Sequence, residues 1–174
     1  MNAHANRSKN DGGGFTLVEV MVSAMLVVVF FASIFELNAV CLRYINSSKE
    51  SLAALQSVQD RTETLRNLAF SDLTTTSFVQ DLMAAPANYT PPGTPPTVFS
   101  QKATEVVKIS KYPTPDGVTQ FTRTPNGHVA LDSTATSLGT GLVKVDVAVS
   151  WNMTAGGRTR AEQTSCIVSN GTKK

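Results

Sequence analysis

Glu19 is the residue that most needs a chemical explanation. It stands in GGGFTLVEVMVS, residues 12 to 23, inside an apolar run that reaches Phe35 and is otherwise broken by short hydroxyl side chains such as Ser23 and Ser33. A charge at mid-membrane costs about 2.5 to 3.5 kcal/mol on insertion scales, so an acid in such a run is a site that expects a partner. The run contains no Lys or Arg. The nearest cation would be a new α-amine at Phe15, released by a cut after the glycines, on the same chain or on a neighbour. A helix beginning at Phe15 would also hold Glu19 near its positive end. In a bundle of helices, one chain's Glu19 could neutralise another's Phe15 amine and so set the axial register. The chemistry implied is charge pairing during assembly.

Other reactive side chains carry less. Cys41 and Cys166 have no metal-ligand spacing and form no CxxC pair. A Cys41–Cys166 disulfide is open to them in an oxidising compartment, provided the strand bearing Cys166 reaches the helix bearing Cys41. His128 is the one histidine outside the first fourteen residues, so no histidine-based catalytic constellation can be assembled, and a strand or loop role suits it. Asp116-Gly117 and Asn126-Gly127 read as turns. The triplets at Asn46, Asn88, Asn152 and Asn170 match a glycosylation pattern that a Ser/Thr-rich chain produces by chance. No catalytic residue, metal site or cofactor is expected. A formal net charge of +2, with its cations dispersed, gives no footprint for nucleic acid.

The elements that must position Glu19 come next. A chain of 174 residues suits one folded unit with an appendage. Residues 1–14 are polar, carry Arg7 and Lys9 against Asp11, and end in three glycines, which reads as a detachable leader. From Phe15 to Phe35 the run is long enough for a membrane span, for which ~20 helical residues suffice. A secretory signal has a shorter core followed by its cleavage site, whereas here the small-residue cut precedes a longer run. Cations before the span and a longer polar part after it favour a cytoplasmic N-terminus, a body outside, and a single pass.

From Phe15 to Ala85 there is neither proline nor glycine, so one long helix to about residue 70 is expected, with residues 15–40 as its membrane and assembly half. Beyond the span, Leu42, Ile45, Leu52, Leu55, Val58, Leu65 and Leu68 recur at helical spacing and predict a stripe packed on a domain, with Lys49, Glu50, Asp60, Arg61 and Glu63 largely off it. Residues 71–103 read as a connection, with a short turn at Phe78–Met83 and the proline-rich APANYTPPGTPPT from Ala85 to Thr97. Period-two strands follow at Glu105–Ser110, Val118–Thr122 and His128–Leu131. LVKVDVAVSWN, residues 142–152, is the clearest, with Val143, Val145, Val147, Val149 and Trp151 on one face. A glycine turn then leads into Arg158–Ser169, an antiparallel partner. The fold class is α+β: a long N-terminal helix covering an antiparallel sheet within an extracytoplasmic domain of residues 41–174.

Gly14-Phe15-Thr16-Leu17-Val18-Glu19-Val20 resembles the processing and methylation motif of type IV pilins and type II secretion pseudopilins, with glycine before the cut, phenylalanine after it, and glutamate four residues on. The resemblance covers about the first fifth of the chain. It implies cleavage between Gly14 and Phe15 by a prepilin peptidase, methylation of the Phe15 amine, and pairing of Glu19 with a neighbouring subunit's amine. The implied partners are other pilin or pseudopilin subunits, an inner-membrane assembly platform and the lipid bilayer. The downstream pattern is more similar to minor pilins and minor pseudopilins. Glu36 stands where many major pilins carry a kinking proline, the cysteines do not bracket a C-terminal loop, and Gly171-Thr172-Lys173-Lys174 lacks the acids of a calcium site. The expected role is a structural minor subunit of a pilus or pseudopilus. The competing expectation is a membrane-tethered β-rich binding module that never polymerises.

Overall fold

Alternating valines build the centre of the fold. In β4, Leu142–Asn152, the side chains of Val143, Val145, Val147, Val149 and Trp151 are buried while their neighbours are partly exposed, as a strand with one covered face requires. The computed structural model describes residues 15–86, 98–154 and 156–171. Residues 1–14, expected to be a leader ending at Gly14, lie outside the described residues, as does most of the proline-rich connection. The chain divides into two compact units, Met1–Leu42 and Arg43–Lys174.

Five strands form one antiparallel sheet in the order β3-β2-β1-β4-β5. The others are β1 (Ala103–Lys111), β2 (Thr119–Arg123), β3 (Val129–Ser133) and β5 (Thr159–Ser169). The first three form a meander, and the chain then crosses back to lay β4 beside β1, a Greek-key arrangement. The predicted strand at residues 142–152 coincides with β4, and the shorter ones shift by one or two residues. Asn126-Gly127 makes the β2–β3 turn. Gly127 takes a positive φ of 86°, and Thr124 N–H donates to the His128 carbonyl at 2.9 Å. His128 is thereby an exposed turn residue.

Helix α1, Leu17–Asn67, supplies the cover for the sheet from its second half. It is joined by α2 (Phe70–Leu73) and α3 (Thr76–Ala84). Ala54, Val58 and Leu65 of α1, Leu73 of α2, and Val79 and Met83 of α3 share one core with Val107, Ile109, Phe121 and the β4 valines. Phe99 meets Trp151 edge to face, with ring centroids 5.6 Å apart. The α+β class expected from sequence is the observed one. Residues 71–103, read as a connection, hold most of α2 and all of α3. The turn expected at Phe78–Met83 is a helix of nine residues, whose Val79 and Met83 sit four apart on one face.

The predicted stripe needs correction. Of its seven positions, Val58 and Leu65 are buried and Leu68 is half-buried, while Leu42, Ile45, Leu52 and Leu55 are exposed. The buried face of α1 reads Glu50, Ala54, Ser57, Val58, Arg61, Thr62 and Leu65. Small and hydroxyl side chains let the helix lie close to the sheet. Ser57 and Thr62 donate their hydroxyls to carbonyls one turn back, at 2.8 and 2.7 Å, so they enter the core with their polar groups satisfied. Glu50 and Arg61, expected off the stripe, are buried because the sheet side supplies partners for both.

Candidate functional site: the N-terminal helix

Thr16 and Glu19 close the start of α1 on each other. The Glu19 N–H donates to Thr16 Oγ1 at 3.3 Å, and the Thr16 N–H donates to Glu19 Oε2 at 3.5 Å. With α1 beginning at Leu17, Thr16 is the N-cap and Glu19 the third helical residue. This is a capping box, which satisfies two helix-end donors reciprocally. Phe15 and Val20 occupy the two positions of a hydrophobic staple. The signal for it, Thr-x-x-Glu before an apolar run, stands in the sequence at Thr16 and Glu19, beside the charge that points to pairing. One carboxylate has lone pairs for several donors, so a cap on Oε2 leaves Glu19 able to accept from a further cation.

Phe15 is 81% exposed, and α1 presents an uncovered apolar surface through Phe35, with Leu17, Met21, Met25, Leu26, Val28 and Phe30 each more than half exposed. The helix is long and apolar enough to cross a membrane, and nothing covers its most apolar window. Ser33 gives its hydroxyl to the Val29 carbonyl at 2.9 Å, which removes an unsatisfied donor from that surface.

In the second unit, Ile45 and Leu52 are 50% and 57% exposed. At ~100° per residue they point away from Ala54, Arg61 and Leu65, with Leu55 on the flank. The second half of α1 therefore has two differently used faces, one against the sheet and one apolar and open.

Two buried charge clusters hold the helix to the sheet. Arg61 donates from Nε to Glu105 Oε1 at 2.5 Å and from Nη2 to Oε2 at 3.2 Å, and it also reaches the Leu82 and Ala85 carbonyls at the end of α3. Arg123, beside Glu105 in the β1–β2 register, is buried, and desolvation holds its pKa down against the pull of Glu105. At the other end, Glu50 accepts from Lys102 and from the Thr154 hydroxyl and, at 3.3 Å, from the Thr154 N–H. Burial pushes the Glu50 pKa up, but these bonds outweigh it and leave the carboxyl below its ordinary value.

The cysteines are separate features. Cys41 is exposed on α1 and Cys166 is half-buried on β5, each a free thiol. Burial raises the Cys166 pKa, which makes it a poor nucleophile. Among the described residues no three His, Cys, Asp or Glu side chains come together as metal ligands. A depression of about 440 Å³ on the sheet's outer face is lined by Val106, Lys108, Lys144, Asp146, Gln163 and Ser165, among others. Lys144 and Asp146 neutralise each other there at 2.8 Å. Comparison with known protein families, with curated proteins and with solved structures finds no match to this chain.

Proposed function

We propose that this chain is a structural minor subunit of a type IV pilus or a type II secretion-type pseudopilus, cut by a prepilin peptidase between Gly14 and Phe15, methylated at Phe15, and assembled through its N-terminal helix. The observation that carries the reading is the apolar face of α1 that stays open after the span. Ile45 and Leu55 lie ten and twenty residues past Phe35, so ~15 and ~30 Å along a helix. Lipid that covers a span ending at Phe35 does not cover them. A neighbouring helix does, and Ile45, Leu52 and Leu55 then pass from water into a bundle. Glu19 in the first turn supports the same reading, since it stands where a neighbour's Phe15 amine would pair with it. A tethered module that never polymerises has no use for that open face, and would need Glu19 only as a cap.

In the precursor the N-terminus is cytoplasmic and the second unit is on the far side of the inner membrane. After the cut, assembly proceeds by transfer of the helix from lipid to a bundle of like helices. The test is the N-terminus of the mature chain, recovered from the membranes of a host with and without a prepilin peptidase. The expected product begins at methylated Phe15 and forms only in the host with the enzyme. A mature chain beginning elsewhere, or the same product without the peptidase, contradicts the proposal.

A further inference from the structure

Arg123 is a buried cation with no partner of its own. It ends β2 on the core face of the sheet, is 5% exposed, and stands beside Glu105 in the β1–β2 ladder. Both Glu105 oxygens are engaged by Arg61, whose Nη1 and Nη2 also reach the Leu82 and Ala85 carbonyls. Among the described residues Arg123 makes no hydrogen bond or ion pair, and its Nε is sealed from solvent without an acceptor. Two guanidiniums against one carboxylate leave this cluster one positive charge in excess. No second acid offsets it. The charges that act on Arg123 are Glu105 and Arg61. Asp132 of β3 is turned to the opposite face, where it accepts from Gln120 and Thr122. The β2–β3 turn, Thr124–His128, contains no acid.

An unpaired buried charge is costly, and water can complete a hydrogen bond there but cannot supply the missing charge. The way in is at the turn. Of the three guanidinium nitrogens only Nε is sealed. Arg123 Nη2 is the one atom within 4 Å of where a Cβ at Gly127 would stand, at 3.8 Å, so space is open beside that nitrogen. Gly127, with φ +86°, holds the position without a side chain to fill it. We infer that a small monovalent anion, of the size of chloride or formate, binds the Nη end of Arg123 beside the β2–β3 turn and serves as counter-ion to the Arg61–Glu105–Arg123 cluster. Guanidinium donors to an ionised acceptor make strong hydrogen bonds. One negative charge balances the cluster, whereas a dianion would reverse its sign. A guanidinium so covered admits a small ion and offers little surface to a bulky one. All of these residues belong to the second unit, and the inference is independent of the pilus reading.

The test is thermal melting of the full chain in neutral detergent, followed by Trp151 emission at constant ionic strength while sodium gluconate is exchanged for sodium chloride or sodium formate. With the small anion at about ten times its dissociation constant, the folding equilibrium constant is expected to rise about tenfold and Tm by about 4 °C. The rise is expected to vanish in Arg123→Gln, whatever that variant's own stability. Glu105→Gln adds a further unit of positive charge to the cluster and is expected to steepen the response to chloride. Equal melting of the wild type in gluconate, chloride and formate overturns the inference, as does a chloride response that Arg123→Gln retains in full. Should Arg123→Gln fail to fold, Glu105→Gln decides, and a response no steeper than the wild type's overturns the inference.

Discussion

At the scale of the residue, Glu19 has two duties that one substitution can separate. Glutamine at the third helical position still completes a capping box, but it carries no charge. Glu19→Gln is therefore expected to keep the helix start and lose the pairing. Thr16→Ala does the opposite, removing the cap at a cost of about 1 kcal/mol while leaving the carboxylate free to pair. Amide exchange at Val18–Val20 in detergent checks this: faster in Thr16→Ala and unchanged in Glu19→Gln. Glu50 is the corresponding residue in the second unit. Its folded pKa is lowered, so its contribution is complete above the ordinary glutamate pKa of about 4.3 and is lost as pH falls through the lower folded value. Glu50→Gln is expected to cost about 1 to 3 kcal/mol near neutral pH. Thermal melting of both proteins from pH 7 downward would show the gap closing below about pH 4; a gap that widens with acid would reverse the assigned sign.

At the scale of the element, α1 explains what was legible and what was not. Its existence followed from the absence of proline and glycine and from the apolar run. Its buried face did not, because hydropathy ranks Leu52 above Ser57 and cannot know that Glu105 waits for Arg61. Tertiary partners turned a charged and hydroxyl face inward and left leucines outside. The strands were easier, since β4 alternates without exception over eleven residues. In the candidate site, Phe15 and Glu19 were readable from charge and position, whereas the capping role of Thr16 passed unnoticed behind the larger question of the acid. The Arg61–Glu105 pair makes a directional prediction. Arg61→Met leaves Glu105 beside Arg123, which can take over as its partner. Glu105→Leu leaves two buried arginines without an acid. The second is expected to cost about 3 to 5 kcal/mol, and the first clearly less. Equilibrium unfolding of the two variants decides it, and equal losses would show that Arg123 does not respond.

At the scale of the whole molecule, the described residues of the sheet domain bring no metal-ligand cluster together, and the helix carries Glu19 and an uncovered apolar surface. The one tryptophan, Trp151, is buried against Phe99 and reports on the second unit. Its emission is expected to be the same in wild type and Glu19→Gln, so any assembly defect of that variant can be read apart from misfolding. The most direct measurement of the assembly claim is the amount of processed chain recovered in sheared filaments or pseudopilus complexes from cells expressing the machinery. Wild-type chain is expected there, while Glu19→Gln is expected to be inserted and cut but left in the membrane fraction. Glu19→Gln incorporated to the wild-type level would contradict the account, because the charge in the apolar helix would then have no part in assembly.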